Sequence, residues 1–289
     1  MMLGNIRSAP FDTAPGDGRC VGLKAGAAVT YTGWFRRVPA VVQEANRQGF
    51  RGPERPRRKP GSVFRILMLG DSTVYGQGVS TQQTLPAHLE RELKGATGHS
   101  VEVLNFGVPG YNLEESIDQY QYLASRWDHD LVLLKLVSND LKRPLCDFLK
   151  RPATAWLVLN VAIFRVIYIV LVPKISPPDD RIKTGGAGRI RRALKRLRRL
   201  ADGRGARLAV ITTDRKWVEE QTGTKLEEIT TSQSVPLFDL IDCPGADKTA
   251  DHPFDDIPGD GHLSGKGNGQ AAACLSRWLQ TTSGLLDTE

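Results

Sequence analysis

Ser72, His262 and Asp260 are the residues of this chain whose types and surroundings could do covalent chemistry. Ser72 follows the run Arg-Ile-Leu-Met-Leu-Gly-Asp at 65–71, which is apolar, rich in strand-forming residues and broken by Gly70. A short continuous apolar run reads as a buried parallel strand, and open α/β sheets place their chemistry at the carboxyl ends of such strands. A serine hydroxyl becomes a nucleophile when a base takes its proton, and an imidazole serves best when a carboxylate fixes its tautomer. His262 and Asp260 offer that base and that carboxylate two positions apart in a glycine-rich loop. Each also has a plainer account, Ser72 as a helix cap and His262 as a solvated loop residue. The flanking glycines and the helical pattern that follows argue against the solvated-loop account of His262.

The elements that must hold these residues are legible as an alternation. Apolar stretches predict strands near 64–70, 101–106, 130–137, 207–213 and 235–239, and helical periodicity predicts helices near 84–94, 113–126, 189–202 and 266–280. Strands that alternate with helices imply a parallel sheet whose connections cross over its faces.

Four blocks in order carry a family resemblance: Gly70-Asp71-Ser72, Asn105-Phe106-Gly107-Val108-Pro109-Gly110, Ser138-Asn139-Asp140 and Asp260-Gly261-His262. Together they resemble the SGNH/GDSL hydrolases, and Asn46-Arg47-Gln48-Gly49-Phe50-Arg51 is similar to the lead-in of one bacterial branch of that family. Two positions depart from the common pattern: Val137 stands where glycine is frequent, and the final acid lies two rather than three residues before the histidine. The resemblance implies a flavodoxin-like parallel sheet with helices on both faces, the three-layer SGNH hydrolase fold. It implies Ser72 as nucleophile, His262 as general base and then acid, and Asp260 as the residue that orients it. The oxyanion hole would be the backbone N–H groups of Ser72 and Gly110 with the side-chain amide of Asn139. The activity implied is ester hydrolysis through an acyl-enzyme without a cofactor, on a small-molecule or lipid-like ester, long-chain acyl or acetyl. Acyl transfer by the same intermediate, or a weakly catalytic module that binds a membrane surface or a partner, are the alternatives.

With 289 residues and 40% hydrophobic content the chain can bury a sizeable core. We expect an irregular segment over 1–60 that wraps on the domain and docks through Gly49-Phe50-Arg51, then a hydrolase domain over 61–289 with an apolar and basic helical insert at about 144–188. Within that insert Ala155–Val172 is nearly continuous apolar sequence interrupted by Asn160 and Arg165. An acyl-binding lid or a homodimer contact ranks first, peripheral attachment to lipid second, and a true span last, because a central arginine is costly in a bilayer. The basic run 181–207 repeats Ile190, Leu194, Leu197 and Ala201 at helical spacing and supplies much of the net charge of +7. Such a helix usually packs one stripe and solvates the other, and no nucleic-acid motif accompanies it, so no nucleic-acid partner is expected.

Cys20, Cys146, Cys243 and Cys274 are scattered, which suggests neither zinc nor a redox pair and favours a reducing compartment. With no apolar signal core at the amino terminus, a cytoplasmic location is expected, with membrane association through the insert as the variant. Asp251-His252 with Asp255-Asp256 could ligate a metal, but a polar loop near His262 accounts for them equally, and no metal is expected. The glycines from Gly267 to Gly269 fit the entry of the last helix better than a dinucleotide fingerprint, since no strand precedes them.

Overall fold

The computed structural model describes residues 11–12, 16–31, 40–97, 100–141, 180–247, 254–258, 260–282 and 284–286. The apolar segment Ala155–Val172, and with it the lid, dimer and membrane readings, lies outside the described residues, as do Cys146, Asp251, His252 and Gly259.

The amino-terminal part forms two small antiparallel pairs, β1 (Phe11–Asp12) with β2 (Gly22–Leu23) and β3 (Ala28–Tyr31) with β4 (Val41–Glu44). These strands have too few apolar alternations to announce themselves in the sequence. The domain proper is a five-stranded parallel sheet of β5 (Val63–Leu69), β6 (Ser100–Asn105), β7 (Leu131–Leu136), β8 (Arg207–Thr212) and β9 (Leu237–Asp239). Its order is β6-β5-β7-β8-β9, the flavodoxin-like arrangement expected from the resemblance. In that order the chain reverses its direction of travel across the sheet between β5 and β7, the point at whose carboxyl ends open α/β sheets hold their ligands.

Among the described residues the helices are α1 (Ser72–Tyr75), α2 (Leu85–Thr97), α3 (Leu113–Tyr122), α4 (Asp180–Asp202), α5 (Arg215–Thr222), α6 (Leu226–Thr231) and α7 (Gly265–Thr281). Alternate residues of the fully buried strands feed two cores. Leu67, Leu69, Val132 and Leu134 pack on one face with α3 and with the Ile190, Leu194, Leu197 and Ala201 stripe of α4. Ile66, Met68, Leu131 and Leu133 pack on the other with Leu85, Leu89 and Leu93 of α2 and with α7. Helices on both faces explain why β5 and β7 read as continuous rather than alternating apolar runs. The outer face of α4 is partly neutralised by Arg189–Glu114 at 3.5 Å and Arg196–Asp118 at 2.7 Å.

One expectation is corrected. Cys243, beside the short turn Leu240–Asp242, and Cys274 on α7 form a disulfide with their Cα atoms 6.0 Å apart, and Cys20 is disulfide-bonded as well. Cysteines 31 positions apart look unrelated along the chain and meet only because α7 packs back on the end of the sheet. Disulfides persist in oxidising surroundings, so scattered cysteines no longer support a reducing compartment. Among the described residues no helix is long and apolar enough to cross a membrane.

Candidate active site

The turn that carries Ser72 is built by backbone geometry. After β5, Gly70 turns the chain and Asp71 caps α1, its carboxylate accepting from the Thr73 N–H at 2.9 Å and the Thr73 hydroxyl at 2.7 Å. Ser72 is therefore the first residue of a one-turn helix that ends at Gly76. The second block braces this turn. Val108 N–H donates to Gly70 O at 3.0 Å, and Asn105 Nδ2 donates to Val74 O at 2.9 Å while its Oδ1 accepts from Gly107 N–H at 3.0 Å. A Cβ on Gly107 would lie 2.3 Å from Tyr75 N, so only glycine allows the two backbones this close.

His262 lies on the loop before α7, shaped by Ile257 N–H donating to His262 O at 2.8 Å and an isolated bridge between Asp256 and Leu263. Ser264 caps α7 by accepting from Gly267 N–H at 3.1 Å, confirming the glycine-rich run as a helix entry, and its hydroxyl donates to Asp255. A Cβ on Gly267 would strike Asp255 O at 2.0 Å.

Across a sequence separation of 190 residues, His262 Nε2 sits 2.9 Å from Ser72 Oγ. On its other side Nδ1 sits 2.7 Å from Asp260 Oδ1. This geometry selects the tautomer with the proton on Nδ1, donated to Asp260, and leaves Nε2 to accept from the serine hydroxyl. The Asp260 side chain is only 2% exposed. Burial alone would raise its pKa, but the hydrogen bonds from His262 and Tyr31 outweigh that and hold the carboxyl below its ordinary value. An ionised Asp260 is the form that steadies an imidazolium.

Gly110 follows β6 in a turn, with φ +82°, and Asn139 lies in the short turn Ser138–Leu141 after β7. Both thus follow the carboxyl ends of strands flanking β5, on the sheet edge that carries Ser72. Val137, at the position where glycine is frequent, is buried and its N–H donates to Asp140 Oδ2 at 2.5 Å, closing the turn on which Asn139 rides.

Two groups around this centre were not singled out by the sequence. Tyr31 of β3 donates to Asp260 Oδ2 at 2.5 Å; a tyrosine in an unrecognised short strand carries no signal. Lys135 of β7 is buried beneath the Ser72 turn, facing the carboxylates of Asp71, Asp214 and Asp140. Burial pushes Lys135 down, and burial together with Asp71 pushes Asp140 well up. A lysine inside an otherwise apolar strand, Leu-Val-Leu-Leu-Lys-Leu, was the available hint. The docking expected for Gly49-Phe50-Arg51 takes a definite form. Phe50 packs against Phe106 and Trp127, and Arg51 donates to Tyr75 O, Gly76 O and Val79 O at 2.8, 2.6 and 2.6 Å.

Residues 68–269, most of the chain, match the model of the GDSL-like lipase/acylhydrolase family. The chain belongs to that family. It is accordingly an enzyme of the esterase and acylhydrolase class. Among solved structures it is similar to a psychrotrophic esterase, EstA, from Pseudoalteromonas sp., with 14% identity, 75% of this chain and 99% of that one covered, and a TM-score of 0.48. It is also similar to a lipase/acylhydrolase from Enterococcus faecalis, with 17% identity, 75% and 95% covered, and a TM-score of 0.47. No curated protein matches the sequence.

Proposed function

We propose that the protein hydrolyses carboxylic esters by way of a covalent acyl-serine. Ser72 Oγ attacks the ester carbonyl as its proton passes to His262 Nε2, and Asp260 holds the imidazolium that forms. The oxyanion takes hydrogen bonds from the backbone N–H groups of Ser72 and Gly110 and from the Asn139 amide, donors that are worth most where charge develops in the transition state. Collapse of the tetrahedral intermediate expels the alcohol, which takes the proton from His262. Water, deprotonated by the same imidazole, then attacks the acyl-enzyme and releases the acid and Ser72. No cofactor enters this cycle.

The observation that supports this reading is the continuous contact from Ser72 Oγ through His262 to Asp260, at 2.9 and 2.7 Å. Its substrate is a small-molecule or lipid-like ester. The test is hydrolysis of a chain-length series of activated aryl esters by the wild type and by Ser72→Ala. Loss of activity in the variant is expected, with the chain-length optimum reporting the acyl group; equal rates in both proteins would exclude Ser72 as the nucleophile.

A further inference from the structure

We propose that Tyr31 is a positioning residue for the Asp260–His262 pair, which makes the amino-terminal hairpin part of the active centre. This inference rests on the reading of Ser72, His262 and Asp260 given above. Each oxygen of the Asp260 carboxylate has its own donor: Oδ1 faces His262 Nδ1 at 2.7 Å and Oδ2 accepts from the Tyr31 hydroxyl at 2.5 Å. A phenol has one proton to give, and its direction is set by what donates to its oxygen. Gln77 Nε2 donates to that oxygen at 3.2 Å, so the phenolic proton goes to Asp260.

Gln77 in turn belongs to the nucleophile turn, its backbone N–H donating to Ser72 O at 3.1 Å. The contacts therefore close a ring: Ser72 backbone, Gln77, Tyr31, Asp260, His262 and back to the Ser72 hydroxyl. Backbone bonds fix the main chain here, with Asp260 N–H donating to Ile257 O at 3.0 Å and Gly261 turning the chain at φ +80°, but they leave the orientation of the Asp260 carboxylate to its side-chain donors. With one oxygen held, the carboxylate could still swing about its Cβ–Cγ bond; with both held, its plane is set, and the imidazole plane with it. β3 supplies the second anchor from a different part of the chain.

The experiment is a double-mutant cycle read by activated-ester hydrolysis, using wild type, Tyr31→Phe, Asp260→Ala and the double variant, with melting curves to confirm folding. Tyr31→Phe keeps the ring and removes one oxygen. Losing one hydrogen bond to a charged group should lower kcat about tenfold with KM unchanged, and the acidic limb of the kcat/KM profile should move to higher pH, because the carboxylate loses a donor that favours its ionised form. In the Asp260→Ala background the same change should cost nothing further. A Tyr31→Phe rate within about twofold of wild type, or additive losses in the double variant, would overturn the proposal.

The downfield proton resonance of His262 Nδ1–H supplies a readout that does not depend on turnover. It should shift in Tyr31→Phe, and an unchanged resonance also overturns the proposal. If wild type and Ser72→Ala hydrolyse alike, the assignment of Ser72 as nucleophile fails while this resonance still decides the role of Tyr31. Should Tyr31→Phe not fold, Gln77→Leu frees the phenol to turn away and should produce a smaller shift of the same sign; none would refute the ring.

Discussion

Replacing Arg51 by methionine tests whether the amino-terminal segment braces the turn that carries Ser72. Arg51 is 1% exposed, has no carboxylate partner among the described residues, and donates to three carbonyls at and just past the end of α1, those of Tyr75, Gly76 and Val79. Its guanidinium also lies 4.7 Å from the centre of the Tyr75 ring. Three hydrogen bonds from a charged donor at roughly 2 kcal/mol each contribute on the order of 6 kcal/mol. Against this stands the cost of burying the cation, whose pKa burial pulls down to about 10 from 12.5. That difference corresponds to about 3 kcal/mol. Methionine fills similar volume but leaves the carbonyls with weaker partners, Gln43 Nε2 at 3.1 Å from Gly76 O and 3.5 Å from Val79 O, and Asn105 Nδ2 at 3.3 Å from Tyr75 O. The net expectation is a loss of about 3 kcal/mol in urea unfolding at neutral pH, or on the order of 5 °C in Tm for a chain of this size. The rate of ester hydrolysis should fall as well, since the loosened carbonyls belong to the turn that presents Ser72. A change below about 1 kcal/mol with unchanged activity would refute the brace.

Lys135→Met leaves the buried Asp71 and Asp140 and the half-buried Asp214 without their shared cation, and unfolding should become easier by about 3–5 kcal/mol; a neutral result in urea titration would show that the cluster is already uncharged. Asp140→Asn, by contrast, should cost little at neutral pH, because its folded pKa lies well above the unfolded value and the amide oxygen can still accept from Val137 N–H. The sign follows from linkage: the native state holds this proton more tightly, so wild-type stability from Asp140 is present in acid and declines as pH rises through the folded pKa, and the asparagine variant should lose that decline in a stability–pH profile. Removing the Cys243–Cys274 bridge by Cys→Ala at both positions, with its closed loop of 31 residues, should cost about 3–4 kcal/mol in the chain-entropy account; an unfolding midpoint insensitive to reductant would contradict it. Asn139→Ala should reduce kcat about a hundredfold or more with KM little changed, and a loss confined to KM would remove it from the oxyanion hole.

Most of the sheet was legible because β5, β6 and β7 are buried on both faces, and burial writes itself as largely apolar sequence, broken here only by Arg65, Glu102 and Lys135 among the charged residues, that runs up to glycine, asparagine or serine. The stripe of α4 was legible for the same reason, since Ile190, Leu194, Leu197 and Ala201 must all meet the core. Ser72, His262 and Asp260 stood out because few residue types can perform nucleophilic catalysis, and the turns that present them need glycine nearby. What the sequence did not determine was partnership over distance. Tyr31 reaches Asp260 across 229 positions, Cys243 meets Cys274 through the packing of α7, and Arg51 acts on carbonyls that any residue type would provide. A local pattern records what a residue must bury; the group it touches is chosen by how the elements dock, and that choice exists only in the folded chain.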